Sequence, residues 1–102
     1  MTMTRFALGP IDDFKTFPAE VLVDGIPYWL VRGEENRYKL LMALCPHAGG
    51  EVRWTGELFF CPLHFWTFDK QSGDCLNIRD ERLVRKDVEL QEGILYAIGD
   101  AY

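Results

Sequence analysis

Histidine is almost missing from this sequence, with two among 102 residues, and cysteine is scarce, with three. No run of apolar residues is long enough to span a bilayer. The first residues, Met1-Thr2-Met3-Thr4-Arg5, have no apolar stretch behind their charge, so no secretory signal is expected. There is no internal repeat, no low-complexity segment, no glycine-rich phosphate loop and no nucleophile–base signature. Basic residues are in the minority, 11 Lys and Arg against 16 Asp and Glu, for a net charge of −5. That balance argues against nucleic acid and anionic membranes as partners. A chain of 102 residues is one domain with room for a modest core.

The scarce residues fall together. Both histidines and two of the three cysteines lie in Cys45-Pro46-His47-Ala48-Gly49-Gly50 and Cys61-Pro62-Leu63-His64. Written as spacings this is C-x-H, thirteen intervening residues, then C-x-x-H. Two thiolates and two imidazoles are a donor set for one zinc or for a [2Fe–2S] cluster. Zinc sites usually pair cysteine with cysteine and histidine with histidine, whereas here each short stretch supplies one of each. Two other readings stand beside the cluster: a zinc-stabilised interaction module, and two core cysteines with two surface histidines.

The mixed pairing resembles the motif of the Rieske-type [2Fe–2S] ferredoxin family. In Rieske centres two cysteines hold one iron and two histidines replace cysteine on the other. The resemblance implies Cys45 and Cys61 on the first iron and His47 and His64 on the second, with the cluster between two loop tips. Cys75 is then left without a cysteine partner, so a disulfide framework is excluded, and no histidine remains for acid–base work. Cys75 itself reads as a small buried residue. The chain reads as a carrier and not as an enzyme, in a reducing, cytoplasmic compartment. The prolines Pro46 and Pro62 rigidify the ligand loops, since proline fixes φ.

The rest of the chain reads as short strands divided by turns. Strands are expected at 5–8, 20–23, 26–32, 37–44, 57–60, 66–69, 83–90 and 94–98, with a helical turn or a loop at 11–17. Gly9-Pro10 reads as a stop to the first strand. Asp24-Gly25, 33–36, Gln71-Ser72-Gly73 and Glu92-Gly93 read as turns. The run Leu40-Leu41-Met42-Ala43-Leu44 is apolar on both faces, as a central strand requires. In the 83–90 strand, Asp87 and Glu89 are expected outward, Val88 and Leu90 inward. Tyr28 and Trp29 read as core, and Trp54 as either core or surface. Phe65 and Trp66 read equally as an exposed docking patch or as a shield against water. This pattern indicates an all-β fold, an antiparallel sandwich or barrel. The resemblance adds a small inserted cluster-binding subdomain at about residues 44–77.

Within the family, the resemblance points to the low-potential, ferredoxin- and oxygenase-associated type. High-potential members carry a disulfide whose cysteines would fall at Gly50 and Leu63, and hydroxyl donors that would fall at Trp66 and Phe68. None of the four is present. Fewer donors to the sulfurs leave the added charge of reduction less stabilised, which places the potential low. The span between the loops is a few residues shorter than in most relatives. Phe65 stands where glycine is usual, and the covering segment Ile78-Arg79-Asp80-Glu81-Arg82 has no proline. The implied function is a soluble one-electron carrier, taking electrons from a reductase, expected to be flavin-dependent, to a terminal enzyme such as an oxygenase. The alternative within the redox class is a tightly bound subunit similar to the small subunit of nitrite reductase.

Overall fold

The structure is a computed structural model and describes residues 5–46, 49–63 and 65–102. Nine strands form two antiparallel sheets. The larger has six strands in the order β1-β9-β8-β4-β3-β2: β1 (Arg5–Pro10), β2 (Ala19–Val23), β3 (Ile26–Arg32), β4 (Tyr38–Met42), β8 (Arg85–Gln91) and β9 (Ile94–Ile98). Its edge strands β1 and β2 come into contact, so the sheet curls into a nearly closed barrel. The smaller sheet holds three short strands in the order β5-β6-β7: β5 (Arg53–Trp54), β6 (Phe59–Cys61) and β7 (Trp66–Phe68). No helix among the described residues is long and apolar enough to cross a membrane.

Hairpin chemistry sets most of the barrel. Asp24-Gly25 joins β2 to β3 with both residues at positive φ, and Glu92-Gly93 does the same for β8 and β9. The β4–β8 pair is the long-range one, with Lys39 opposite Asp87 and Leu41 opposite Arg85.

The apolar run in β4 is explained by its two faces. Leu40 joins Tyr28 and Leu30 of β3, with Val23, Leu95 and Ala97, in a core inside the barrel. Leu41 and Ala43 join Trp29 and Val31 of β3 in a second core shared with the small sheet, where Val52, Phe59, Phe68 and Leu83 also lie. Alternation at period two thus feeds one core from even positions and the other from odd ones.

Several expected boundaries move. β1 runs through Gly9-Pro10 to its end at Pro10, because a register shift between Ala7 and Gly9 absorbs the irregularity while pairing with β9 continues. Residues Ile11–Asp13 form one 3-10 turn, and Glu34–Asn36 form a tight turn with Glu35 and Asn36 at positive φ. The strand β5 was not expected: two residues carry no periodicity, and it exists because Arg53 and Trp54 pair with Phe60 and Phe59. Leu90, expected inward, is exposed at 46%, since it sits near the end of the β8–β9 hairpin.

The turn after β7 is held from within. The Asp69 carboxylate accepts the N–H groups of Gln71 and Ser72 and the Ser72 hydroxyl. Those backbone donors hold its pKa below the usual carboxylate range. Gly73 then packs so closely that an added Cβ would lie 3.0 Å from Leu41 Cδ2, and its φ of +77° favours glycine. Arg85 of β8 ties this turn to the barrel through Ser72 O and the Asp74 carboxylate, each at 2.8 Å.

Candidate metal centre

The alternation that fills the second core also delivers the first cysteine. Leu41 and Ala43 face that core, and Cys45, two residues on, is buried in it. There the chain turns: Cys45 N–H donates to Gly50 O at 2.7 Å and Gly49 N–H to Cys45 O at 2.8 Å, while Val52 N–H returns to Ala43 O at 2.9 Å. The first loop is therefore a closed hairpin end. Trp29 of β3 anchors its exit, with indole Nε1–H donating to Val52 O at 3.0 Å in a buried setting.

The second cysteine arrives by the same rule. In β6, Phe59 and Cys61 alternate inward and both are fully buried. Phe65 N–H closes the following turn onto Cys61 O at 2.9 Å, and Cys61 pairs with Trp66 across the β6–β7 hairpin. Phe59 packs against two indole rings, Trp29 at 5.6 Å and Trp54 at 5.0 Å between centroids.

The two loops touch at Gly50. A Cβ there would stand 2.9 Å from Cys61 Sγ and 2.8 Å from Leu63 Cδ1, so no larger residue fits without displacing a thiol. The structure thus brings Cys45 and Cys61 into one apolar core at the ends of two adjoining hairpins. A pair of thiols in such a place suits a soft metal that takes thiolates. The chemistry of that donor pair fits an iron–sulfur cluster. His47 and His64, the other expected ligands, lie outside the described residues.

The open readings of the aromatic residues are now separated. Phe65 is 70% exposed, with its ring 5.9 Å from that of Phe60, and φ is +59°. Trp66 is partly buried against the second core, 6.5 Å from the Phe68 ring. Phe68 is fully buried. Trp54 packs as part of the core, and Tyr28 and Trp29 are buried as expected. Burial raises the pKa of Tyr28. Leu63 stays 63% exposed while lying over Gly50. Cys75 is half-buried against the second core and not enclosed by it.

One residue at this end was not singled out from the sequence. Asn77 donates through Nδ2 to Phe65 O at 2.9 Å and accepts Thr67 N–H at Oδ1 at 3.1 Å. The Cys75 thiol donates to the same Oδ1 at 3.2 Å. Asparagine commonly bonds nearby backbone, but these backbone partners are 12 and 10 residues away, and sequence pattern does not reach that far.

Known proteins share this fold. The Rieske [2Fe-2S] domain family matches residues 4–92. No curated protein matches the chain. Among solved structures, a putative NADH-dependent nitrite reductase small subunit from Mycobacterium tuberculosis is similar over 100% of both chains, at 18% identity and a TM-score of 0.68. A putative nitrite reductase NADPH small-subunit oxidoreductase protein is similar over 94% of this chain and 99% of its own, at 23% identity and a TM-score of 0.65. In the reduced complex between oxygenase and ferredoxin in carbazole 1,9a-dioxygenase, 91% of this chain matches 27% of one chain, at 17% identity and a TM-score of 0.70. Likeness at these identities shows a shared fold. The family's cofactor is a Rieske-type [2Fe–2S] cluster and its domains are electron-carrier modules, which displaces the zinc reading. With the match extending over residues 4–92, this chain belongs to the Rieske [2Fe-2S] domain family.

Proposed function

We propose that the protein is a one-electron carrier whose cluster is held by Cys45, His47, Cys61 and His64. The cluster-binding subdomain is assigned to about residues 44–77 within a single domain, 1–102. The observation that carries the ligand assignment is the burial of Cys45 and Cys61 at two hairpin ends that meet at Gly50. The histidines are assigned by the C-x-H and C-x-x-H spacing, as the only two in the chain. When bound, the cluster supplies a one-electron couple. The protein's own residues keep water from the thiolates and leave one end of the molecule open to a partner. The source of electrons is taken to be a reductase, flavin-dependent in this reading, and the acceptor a terminal oxygenase or another redox enzyme. A cytoplasmic setting is inferred from the cysteine usage, and recovery in the membrane fraction would count against it.

A second reading is supported by the two full-length neighbours named as nitrite reductase small subunits. In it the chain is a bound subunit and not a shuttle. Docking distinguishes the two. Leu63 and Phe65 flank His64 in sequence and are exposed at 63% and 70%. An apolar centre of this kind inside an acidic surface of net charge −5 suits a transient partner with a basic rim.

Purified protein should contain two irons and two acid-labile sulfides per chain. Cys45→Ser and Cys61→Ser should each abolish both, because ligand loss and local unfolding are coupled. Cys75→Ser should keep them, and loss of iron in that variant would mean a ligand has been mis-assigned. Redox titration should give a midpoint below zero, since Phe68 carries no hydroxyl to donate and none is present at Trp66. A midpoint well above zero contradicts the low-potential reading. Electron delivery to the partner should slow as the Debye length shortens from about 30 Å at 0.01 M salt to about 8 Å at physiological strength. Phe65→Ala should slow it further at unchanged iron content. Indifference to both changes, with stable co-purification of a larger chain, would favour the bound subunit.

A further inference from the structure

The strand β7 lies at the edge of the small sheet, paired with β6 on one side and bridged at Phe68 to Cys75 on the other. An edge strand leaves backbone N–H and C=O groups to be satisfied by something other than a neighbouring strand. On that side Asp69 N–H donates to Asp74 O and Leu76 N–H to Thr67 O, each at 2.8 Å, and the groups beyond them, Thr67 N–H and Phe65 O, meet one side chain, the Asn77 amide. Its Nδ2 donates to Phe65 O and its Oδ1 accepts from Thr67 N–H. The planar amide presents a donor and an acceptor side by side, as the N–H and C=O of one residue of a neighbouring strand do. Thr67 N–H can only donate and Phe65 O can only accept, which fixes the end of the amide that carries the oxygen, and the Cys75 thiol adds a third contact at Oδ1.

We propose that Asn77 is the positioning residue of the second ligand loop, its side chain continuing the edge pairing of residues 74–76 and fixing the backbone from Phe65 to Thr67. This rests on the reading of Cys61 and His64 as cluster ligands. Phe65 has a left-handed φ of +59°, which is unfavourable for a bulky residue. Its side chain is 70% exposed, so packing does little to hold it there. What holds it is a pair of backbone bonds, one to Cys61 O and one from Asn77. The Cys61–Phe65 turn is thereby closed at one end by the ligand cysteine and at the other by Asn77. Residues that orient ligands from outside the coordination sphere commonly change metal affinity by about 10–100-fold when removed.

The test uses the loaded protein and three variants. Asn77→Ala removes the bracket. Asn77→Asp keeps the size and the acceptor but sets a carboxylate oxygen against the Phe65 carbonyl. Cys75→Ala removes only the thiol contact. Iron release to a chelator and the EPR line shape of the reduced protein are measured for each. Asn77→Ala and Asn77→Asp should release iron faster, on the order of tenfold, with a broadened EPR signal. Cys75→Ala should stay close to wild type in both. Wild-type release and line shape in both Asn77 variants would overturn the proposal, as would a Cys75→Ala effect equal to that of Asn77→Ala. Wild-type protein that binds no iron would instead overturn the ligand reading beneath it.

Discussion

Strands β3 and β4 are buried on both faces, and the end of the molecule that carries Cys45 and Cys61 depends on that constraint. One face of each closes the barrel, through Tyr28, Leu30 and Leu40. The other face, through Trp29, Val31 and Leu41, forms the floor on which the small sheet rests. Three strands of two or three residues make no stable sheet by themselves. They persist because Phe59 and Phe68, both fully buried, sit against that floor. Removing a buried leucine or phenylalanine costs about 2–5 kcal/mol in general, a large part of a stability of about 5–15 kcal/mol. Barrel and tip therefore share one packing problem, and neither thiol loop is an appendage.

The same alternation accounts for the depth of the thiols. Cys45 continues the inward series of Leu41 and Ala43, and Cys61 that of Phe59. Each loop starts from a buried cysteine and then moves outward, to exposed Pro46 on one side and exposed Pro62 on the other. Between the loops, Gly50 lets them meet without a side chain in the way, and Leu63 lies across the contact. Relatives of the high-potential type join these positions covalently, as the resemblance implies. In this chain an apolar contact occupies the place of that bond.

Much of this was legible because it is encoded locally. The hairpin turns at Asp24-Gly25 and Glu92-Gly93, the strands Ile26–Arg32 and Ile94–Ile98 that follow them and the two-sided run in β4 follow from turn chemistry and period-two alternation. The thiol pair was legible from residue scarcity and spacing. What escaped is set by partners distant in the chain. β5 exists by pairing with β6, the outward position of Leu90 follows from its place near a hairpin end, and Asn77 takes its role from backbone groups of residues 65 and 67 that no strand reaches. The choice between shield and docking patch at Phe65 and Trp66 was likewise unreadable. Adjacent residues divide between surface and core according to a left-handed φ at Phe65 that no local rule for phenylalanine would favour.

The central claim is that a mixed cysteine and histidine donor set holds one cluster between these loops. Because the chain has only two histidines, it can be tested without ambiguity of assignment. Protein grown with nitrogen-15 histidine, reduced and measured by pulsed EPR, should show two histidine nitrogens coupled to the unpaired spin, with one lost in His47→Cys and the other in His64→Cys wherever the cluster is retained. A reduced cluster whose spin couples to no histidine nitrogen would contradict the account.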